Sequence, residues 1–125
     1  ERFDQVCWTA EGKTTTREEL AVELEHVLGS KVRLLPFGDA EVSRLAVSSG
    51  GGSIGLLHSA LDAGADLLIT GEASHPIYHA AKELGINLVL AGHYATETWG
   101  VRSLMPLLER EFQVTTKFVD FPTHF

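Results

Sequence analysis

The sequence predicts an α/β fold, a mostly parallel sheet of βαβ units flanked by helices. Three observations carry that prediction. From residue 44 onward, short apolar runs alternate with segments of helical periodicity. Two of the runs, 66–70 (DLLIT) and 86–90 (INLVL), are almost continuously apolar, as strands covered by helices on both faces are. The third is punctuation, because glycine or a helix-capping residue stands at nearly every switch between the two periodicities.

Taken in order, Thr16 with Glu19 has the spacing of a capping box. Leu20, Leu24, Val27 and Leu28 then recur on one face up to Gly29, which predicts a helix over 17–28. Residues 31–35 and 44–49 read as strands separated by the turn signal Pro36-Phe37-Gly38-Asp39. The regular part follows: a helix over 54–63, a strand over 66–70, a helix over 76–84, a strand over 86–90, a helix over 96–111 and a strand over 114–119. Pro106 inside the last helix removes a backbone donor and crowds the preceding turn, so a kink or break is expected near residues 102–105. Residues 1–12 show neither periodicity, the first residue is Glu1 and the only methionine is Met105. These features predict that 1–16 is a linker or the remnant of a preceding lobe and that 17–125 is a single α/β lobe.

Composition narrows the function classes. The 125 residues carry 10 Lys+Arg against 17 Asp+Glu, a net charge of −7, and 44% of them are hydrophobic. That much apolar content supports a core and excludes a disordered chain, while no run approaches the ~20 apolar residues a membrane span needs. The acidic balance argues against nucleic acid or an anionic membrane as partner, since both are gripped by clustered Lys and Arg. The lone Cys7 cannot form an internal disulfide, which fits a reducing, cytoplasmic setting.

In an open α/β sheet, ligands bind beyond the carboxyl ends of the strands. Three segments fall there: Ser49-Gly50-Gly51-Gly52-Ser53, Gly71-Glu72-Ala73-Ser74-His75-Pro76 and Gly92-His93-Tyr94-Ala95-Thr96-Glu97. His93 and Glu97 are four apart, which lets imidazole and carboxylate meet at one point. Such mixed donors suit zinc, manganese or iron, although zinc takes about four ligands and two do not complete a site. The alternative is a hydrogen-bonded pair at a helix start. Glu72 and His75 read either as further ligands, an orienting carboxylate or a general base and acid, or as an acid beside the positive end of a helix. Gly50, Gly52 and Gly55 also match the dinucleotide fingerprint, with Glu72 placed 22 residues after Gly50 as a ribose-binding acid. The competing explanation for those glycines is a sharp turn or a close approach. His26 and His58 fall on predicted helices, His79 has no evident partner by spacing, His124 is terminal, and Cys7 beside Trp8 lacks the neighbours of a nucleophile.

Read together, Ser49-Gly50-Gly51-Gly52-Ser53, Ile69-Thr70-Gly71-Glu72 with His75, and Gly92-His93-Tyr94-Ala95-Thr96-Glu97 with Gly100-Val101 resemble the carboxyl-terminal half of the Nif-three-like (Ngg-interacting factor three) family. Its bacterial members carry the label GTP cyclohydrolase 1 type 2 homologue. The resemblance runs from about residue 17 through Asp120-Phe121-Pro122 and implies one lobe of a two-lobed protein. It implies a site for two divalent metal ions in the cleft between the lobes, with His93 and Glu97 as ligands and Glu72 and His75 lining the cleft. The family's remaining ligands, a His-His pair and an Asp, lie in the amino-terminal half and have no counterpart here. The implied partners are the missing amino-terminal lobe, further copies in a hexamer, and a small-molecule substrate.

Three functions therefore stand as expectations. The first is a metal-dependent hydrolase half in which His93 and Glu97 hold metal while Glu72 or His75 moves protons. The second is a dinucleotide-binding domain. The third is a non-enzymatic oligomerisation or interaction module.

Overall fold

A computed structural model describes residues 7–123. Its centre is a five-stranded sheet built from β1 (Cys7–Thr16), β2 (Arg33–Leu35), β3 (Glu41–Ser48), β5 (Leu67–Thr70) and β7 (Asn87–Leu90) in the spatial order β1-β3-β5-β7-β2. The three central strands are parallel, and the outer strands β1 and β2 run antiparallel to β3 and β7. A second, two-stranded parallel sheet pairs β4 (Gly51–Gly52) with β6 (Glu72–Ala73) just beyond the carboxyl ends of β3 and β5. No helix among the described residues is long and apolar enough to cross a membrane.

Side chains alternate across the sheet, as strand geometry requires. Ala46, Leu68 and Leu88 point to one face, where they meet Leu56, Leu57 and Ala60 of α2 (Ile54–Asp62) and Ile77 and Ala81 of α3 (His75–Leu84). Leu67, Ile69 and Val89 point to the other, against Leu20 of α1 (Arg17–Leu28). Burial on both faces is the physical reason that β5 and β7 read as unbroken apolar runs. The helix starts obey their local signals. Thr16 and Glu19 form the reciprocal capping box, and Ser53 accepts from the backbone N–H of Leu56 to cap α2.

One buried polar residue ties the turn at 36–39 to the sheet. Asn87 accepts from the Gly38 N–H at 3.0 Å and the Arg17 guanidinium at 3.3 Å, and its amide donates to the carbonyls of Asp39 at 2.7 Å and Asp66 at 3.2 Å. All its polar capacity is used, which explains why an amide is tolerated at a fully buried strand position.

Three features differ from the sequence reading. Residues 7–16 of the segment expected as linker or remnant form β1, an edge strand along β3 from Cys7↔Ser48 to Thr16↔Glu41. Their side chains are almost all exposed, Trp8 at 75%, so no apolar alternation marks the strand. The expected strand 114–119 does not form. Val114 and Val119 are exposed, and this stretch has no strand partner among the described residues. Finally, α4 (His93–Phe112) continues through Pro106 without the expected break, and it begins three residues earlier than predicted. Residues 1–6, the side chain of Cys7, and His124 lie outside the described residues.

Candidate metal centre

The exits of the three parallel strands are stitched together by backbone hydrogen bonds. Glu72 N–H donates to Gly50 C=O at 3.0 Å, Ala91 N–H to Thr70 C=O at 2.8 Å and Gly92 N–H to Gly71 C=O at 2.7 Å. Such close stitching needs missing side chains. A Cβ on Gly71 would stand 2.5 Å from the Gly50 carbonyl oxygen, 2.7 Å from Thr96 Oγ1 and 2.9 Å from the His93 Cα, so only hydrogen fits. Gly50 has φ +68°, a conformation costly for side-chain-bearing residues, and a Cβ there would lie 2.8 Å from Glu97 Oε1.

Those constraints deliver three side chains to one place. His93, the first residue of α4, has Nδ1 2.9 Å from Glu72 Oε1 and Nε2 3.1 Å from Glu97 Oε1. Glu72 comes from β6 and Glu97 from the next turn of α4, so the imidazole lies between two carboxylates from different elements. The Glu72 hydrogen bond is the main influence raising the His93 pKa above its ordinary value. Desolvation opposes it, and the negative charges of Glu97 and Glu72 reinforce it. Thr96 fastens the loop to the helix, accepting from Gly50 N–H at 3.2 Å while its hydroxyl lies 3.0 Å from the carbonyls of Gly92 and His93.

The three groups open on a cavity of about 370 Å³ that Tyr94 and Thr123 also line. The Tyr94 hydroxyl donates to Asp120 Oδ1 at 2.9 Å and accepts from the Phe121 N–H at 2.7 Å, which brings the chain after α4 back to the mouth of the site. Arg102 lies over the Phe118 ring, 4.2 Å from its centroid, and holds the same segment along the helix.

The donor set fits a divalent cation as part of a larger site. With Nδ1–H donated to Glu72, the Nε2 lone pair faces the Glu97 carboxylate, and two acceptors 3.1 Å apart call for a proton or a metal ion between them. Gly50 leaves the space beside both groups free of a side chain. No group of three or more His, Cys, Asp or Glu side chains among the described residues is arranged to hold a metal, so further ligands would have to come from elsewhere.

The structure separates residues that the sequence placed together. Glu72 joins His93 and Glu97, whereas His75 lines a different cavity on α3 and packs edge-on against His79, their ring centroids 5.4 Å apart. His79 therefore has a partner four residues away that the spacing had offered without notice. Gly52 is explained by packing, since a Cβ there would stand 2.9 Å from Thr70 Cγ2. Together with the hydrogen-bonded Gly50 N–H and the engaged Glu72, this accounts for Gly50 and Gly52 without a nucleotide, whereas a Cβ on Gly55 would meet only Ser53 Oγ at 3.8 Å. His26 and His58 are exposed on their helices. Tyr94, Thr96 and Asp120 enter the sequence reading only within the segments that carry the resemblance and have no role of their own there, because hydroxyls and a tail acid acquire meaning only when the fold brings them to the rim.

The model of the Duf34/NIF3 (NGG1p interacting factor 3) family matches residues 5–124. The chain belongs to this family. Among curated relatives, the GTP cyclohydrolase 1 type 2 homolog of Archaeoglobus fulgidus is 43% identical over 102 residues, covering 82% of this chain and 41% of that protein. The protein of the same name from Pyrococcus horikoshii is 48% identical over 92 residues, covering 74% of this chain and 36% of that one. The chain thus spans less than half the length of the curated relatives it matches. Of solved structures, ybgI, described as a protein of unknown function, superposes with a TM-score of 0.88 at 33% identity, covering 96% of this chain and 49% of its own. A Thermus thermophilus protein superposes at 0.84 and 33% identity, covering 94% and 46%. As a NIF3 member, the chain has the mixed α/β architecture with a mostly parallel sheet that its sequence predicted.

Proposed function

We propose that this chain supplies one half of a metal-dependent hydrolase site. The observation that carries the reading is His93 held between Glu72 and Glu97 at the carboxyl edge of the parallel strands. His93 Nε2 and a Glu97 oxygen would be this chain's ligands to divalent metal, two ions in a completed site, of zinc, manganese or iron. An amino-terminal lobe carrying a His-His pair and an Asp, as the resemblance implies, would supply the remainder. When bound, such ions lower the pKa of coordinated water and polarise a carbonyl or phosphoryl group.

The chain's own residues have definable tasks. Glu72 accepts the Nδ1 proton of His93 and so fixes the tautomer that presents Nε2 to the cavity. Half-exposed and at the same cavity, it would also take a proton from a reacting water. His75, turned to the other cavity, is not placed for that task. The relatives' printed name, a homolog of a GTP cyclohydrolase, makes hydrolysis of a nucleotide ring the nearest labelled chemistry, and the substrate would be a small molecule in the cleft.

Metal content of purified protein of the relatives' full length tests the reading. His93→Ala and Glu97→Ala should each lose at least one ion per chain by mass spectrometry, while Glu72→Gln should keep metal but bind it about 10–100-fold more weakly. Unchanged content in both alanine variants would end the assignment.

A second reading has its own observation. None of the 20 residues of α4 is buried, and Trp99, Val101, Leu104 and Phe112 are all exposed. Apolar surface on this scale favours assembly with another lobe or another copy. A concentration-independent monomer in light scattering would count against it.

A further inference from the structure

We propose that the cavity over the first turns of α3 is a binding site for a small phosphate monoester, separate from the metal centre. The cavity measures about 380 Å³, within the range of small-ligand sites. Its polar lining comes from two elements: Arg33 at the start of β2, and Ser74, His75 and His79 at and beyond the start of α3. In a chain of net charge −7, no carboxylate lines it. Leu35 and Leu90 supply an apolar floor.

The polar groups of the lining are exposed to an incoming anion. Arg33 lies opposite Leu90 in the β2–β7 register, and its guanidinium makes no ion pair among the described residues. His75 and His79 lie on one face of α3, with rings nearly perpendicular at 81°. His79 also abuts Tyr78 edge-on, and Tyr78 is wedged against Phe37 with ring centroids 5.0 Å apart, so this wall is packed. The Ser74 hydroxyl makes no capping bond and remains available as a donor. An Arg fork that shares one cavity with two imidazoles and a hydroxyl offers more donors than a planar carboxylate can use and suits the oxygens of a phosphate. The α3 N-terminus, with no acid in its first turn, adds to the same sign of field. Separation from the metal centre follows from strand geometry: Glu72 lines one cavity and the next residue, Ala73, lines the other.

The test titrates the chain with phenyl phosphate, inorganic phosphate and benzoate, following the ring resonances of His75, His79 and His93 by NMR. Phenyl phosphate should bind saturably in the millimolar range or tighter, shift His75 and His79, and bind more tightly than benzoate. Arg33→Gln and His79→Gln should each weaken it about tenfold. Arg110→Gln, at a distant exposed arginine, and His93→Ala should leave the affinity unchanged. Four results overturn the proposal: no saturable shift, equal affinity for benzoate, shifts confined to His93, or equal losses in Arg33→Gln and Arg110→Gln. None depends on whether His93 binds metal, so failure here leaves the metal reading standing, and the converse holds.

Discussion

The α2/α3 layer and helix α4 are built on opposite principles. In the layer, α2 and α3 bury Leu56, Leu57, Ala60, Ile77 and Ala81 against the sheet. The 20-residue α4, by contrast, has no fully buried residue. The layer obtains its stability from apolar area removed from water, at roughly 25 cal/mol per Å². The helix carrying His93 and Glu97 is held instead by a few polar links: Thr96 to Gly50, Tyr94 to Asp120 and Phe121, and Arg102 over Phe118. Stability and candidate chemistry thus occupy different parts of the molecule, and a site so lightly packed is one that a second body can complete.

The sharpest break of that comparison is Leu57→Ala. Its side chain is fully buried, and the cavity left behind should cost about 2–5 kcal/mol, read from the urea midpoint. Gly71→Ala should come next, at about 1–3 kcal/mol, because the new methyl must displace the Gly50 carbonyl or the His93 backbone. Unlike Leu57→Ala, it should also weaken any metal retention by His93 and Glu97 in protein of the relatives' full length. Tyr94→Phe removes both hydrogen bonds to the returning segment and should cost about 1 kcal/mol. Its clearer signature is faster hydrogen exchange at Phe121 with unchanged exchange in β5. Leu104→Ala, at a half-exposed position on α4, should fall within about 0.5 kcal/mol of the parent; a loss rivalling Leu57→Ala would erase the distinction between the layer and α4.

Acid titration gives a quieter test on the packed side. Burial acts on Asp66 as the largest single influence and raises its pKa. The N–H groups of Arg44 and Ser43, the Ser43 hydroxyl and the Arg44 charge together outweigh it, and the net shift is downward. A carboxyl lowered on folding adds stability above its unfolded value of about 3.9, and loses that contribution as pH falls through the folded value. Asp66→Asn should therefore flatten the acid limb of the stability profile while leaving the limb above neutrality unchanged.

Legibility followed burial. The capping box at Thr16 and Glu19 and the double-sided runs of β5 and β7 were readable because local chemistry or full burial imposed a pattern on neighbouring residues. β1 was not, since an edge strand with exposed side chains is defined by its partner's hydrogen bonds. The tail at 114–119 shows the reverse error: β-branched residues supplied the propensity, but no edge among the described residues took them up.

The site divides along the same line. His93 and Glu97 could be paired from the amino-acid order because a spacing of four on one helix fixes their neighbourhood whatever the rest of the chain does. Whether Glu72 or His75 would join them could not, since Glu72 lies on β6 and His75 on the first turn of α3, and only tertiary packing decides which of them reaches His93. Local periodicity and capping thus determined the helices, the buried strands β5 and β7, and the His93–Glu97 pair. Tertiary packing decided that Glu72 faces His93 and that His75 shares a cavity with Arg33, because these pairings join residues from different elements through space, and no local pattern encodes them.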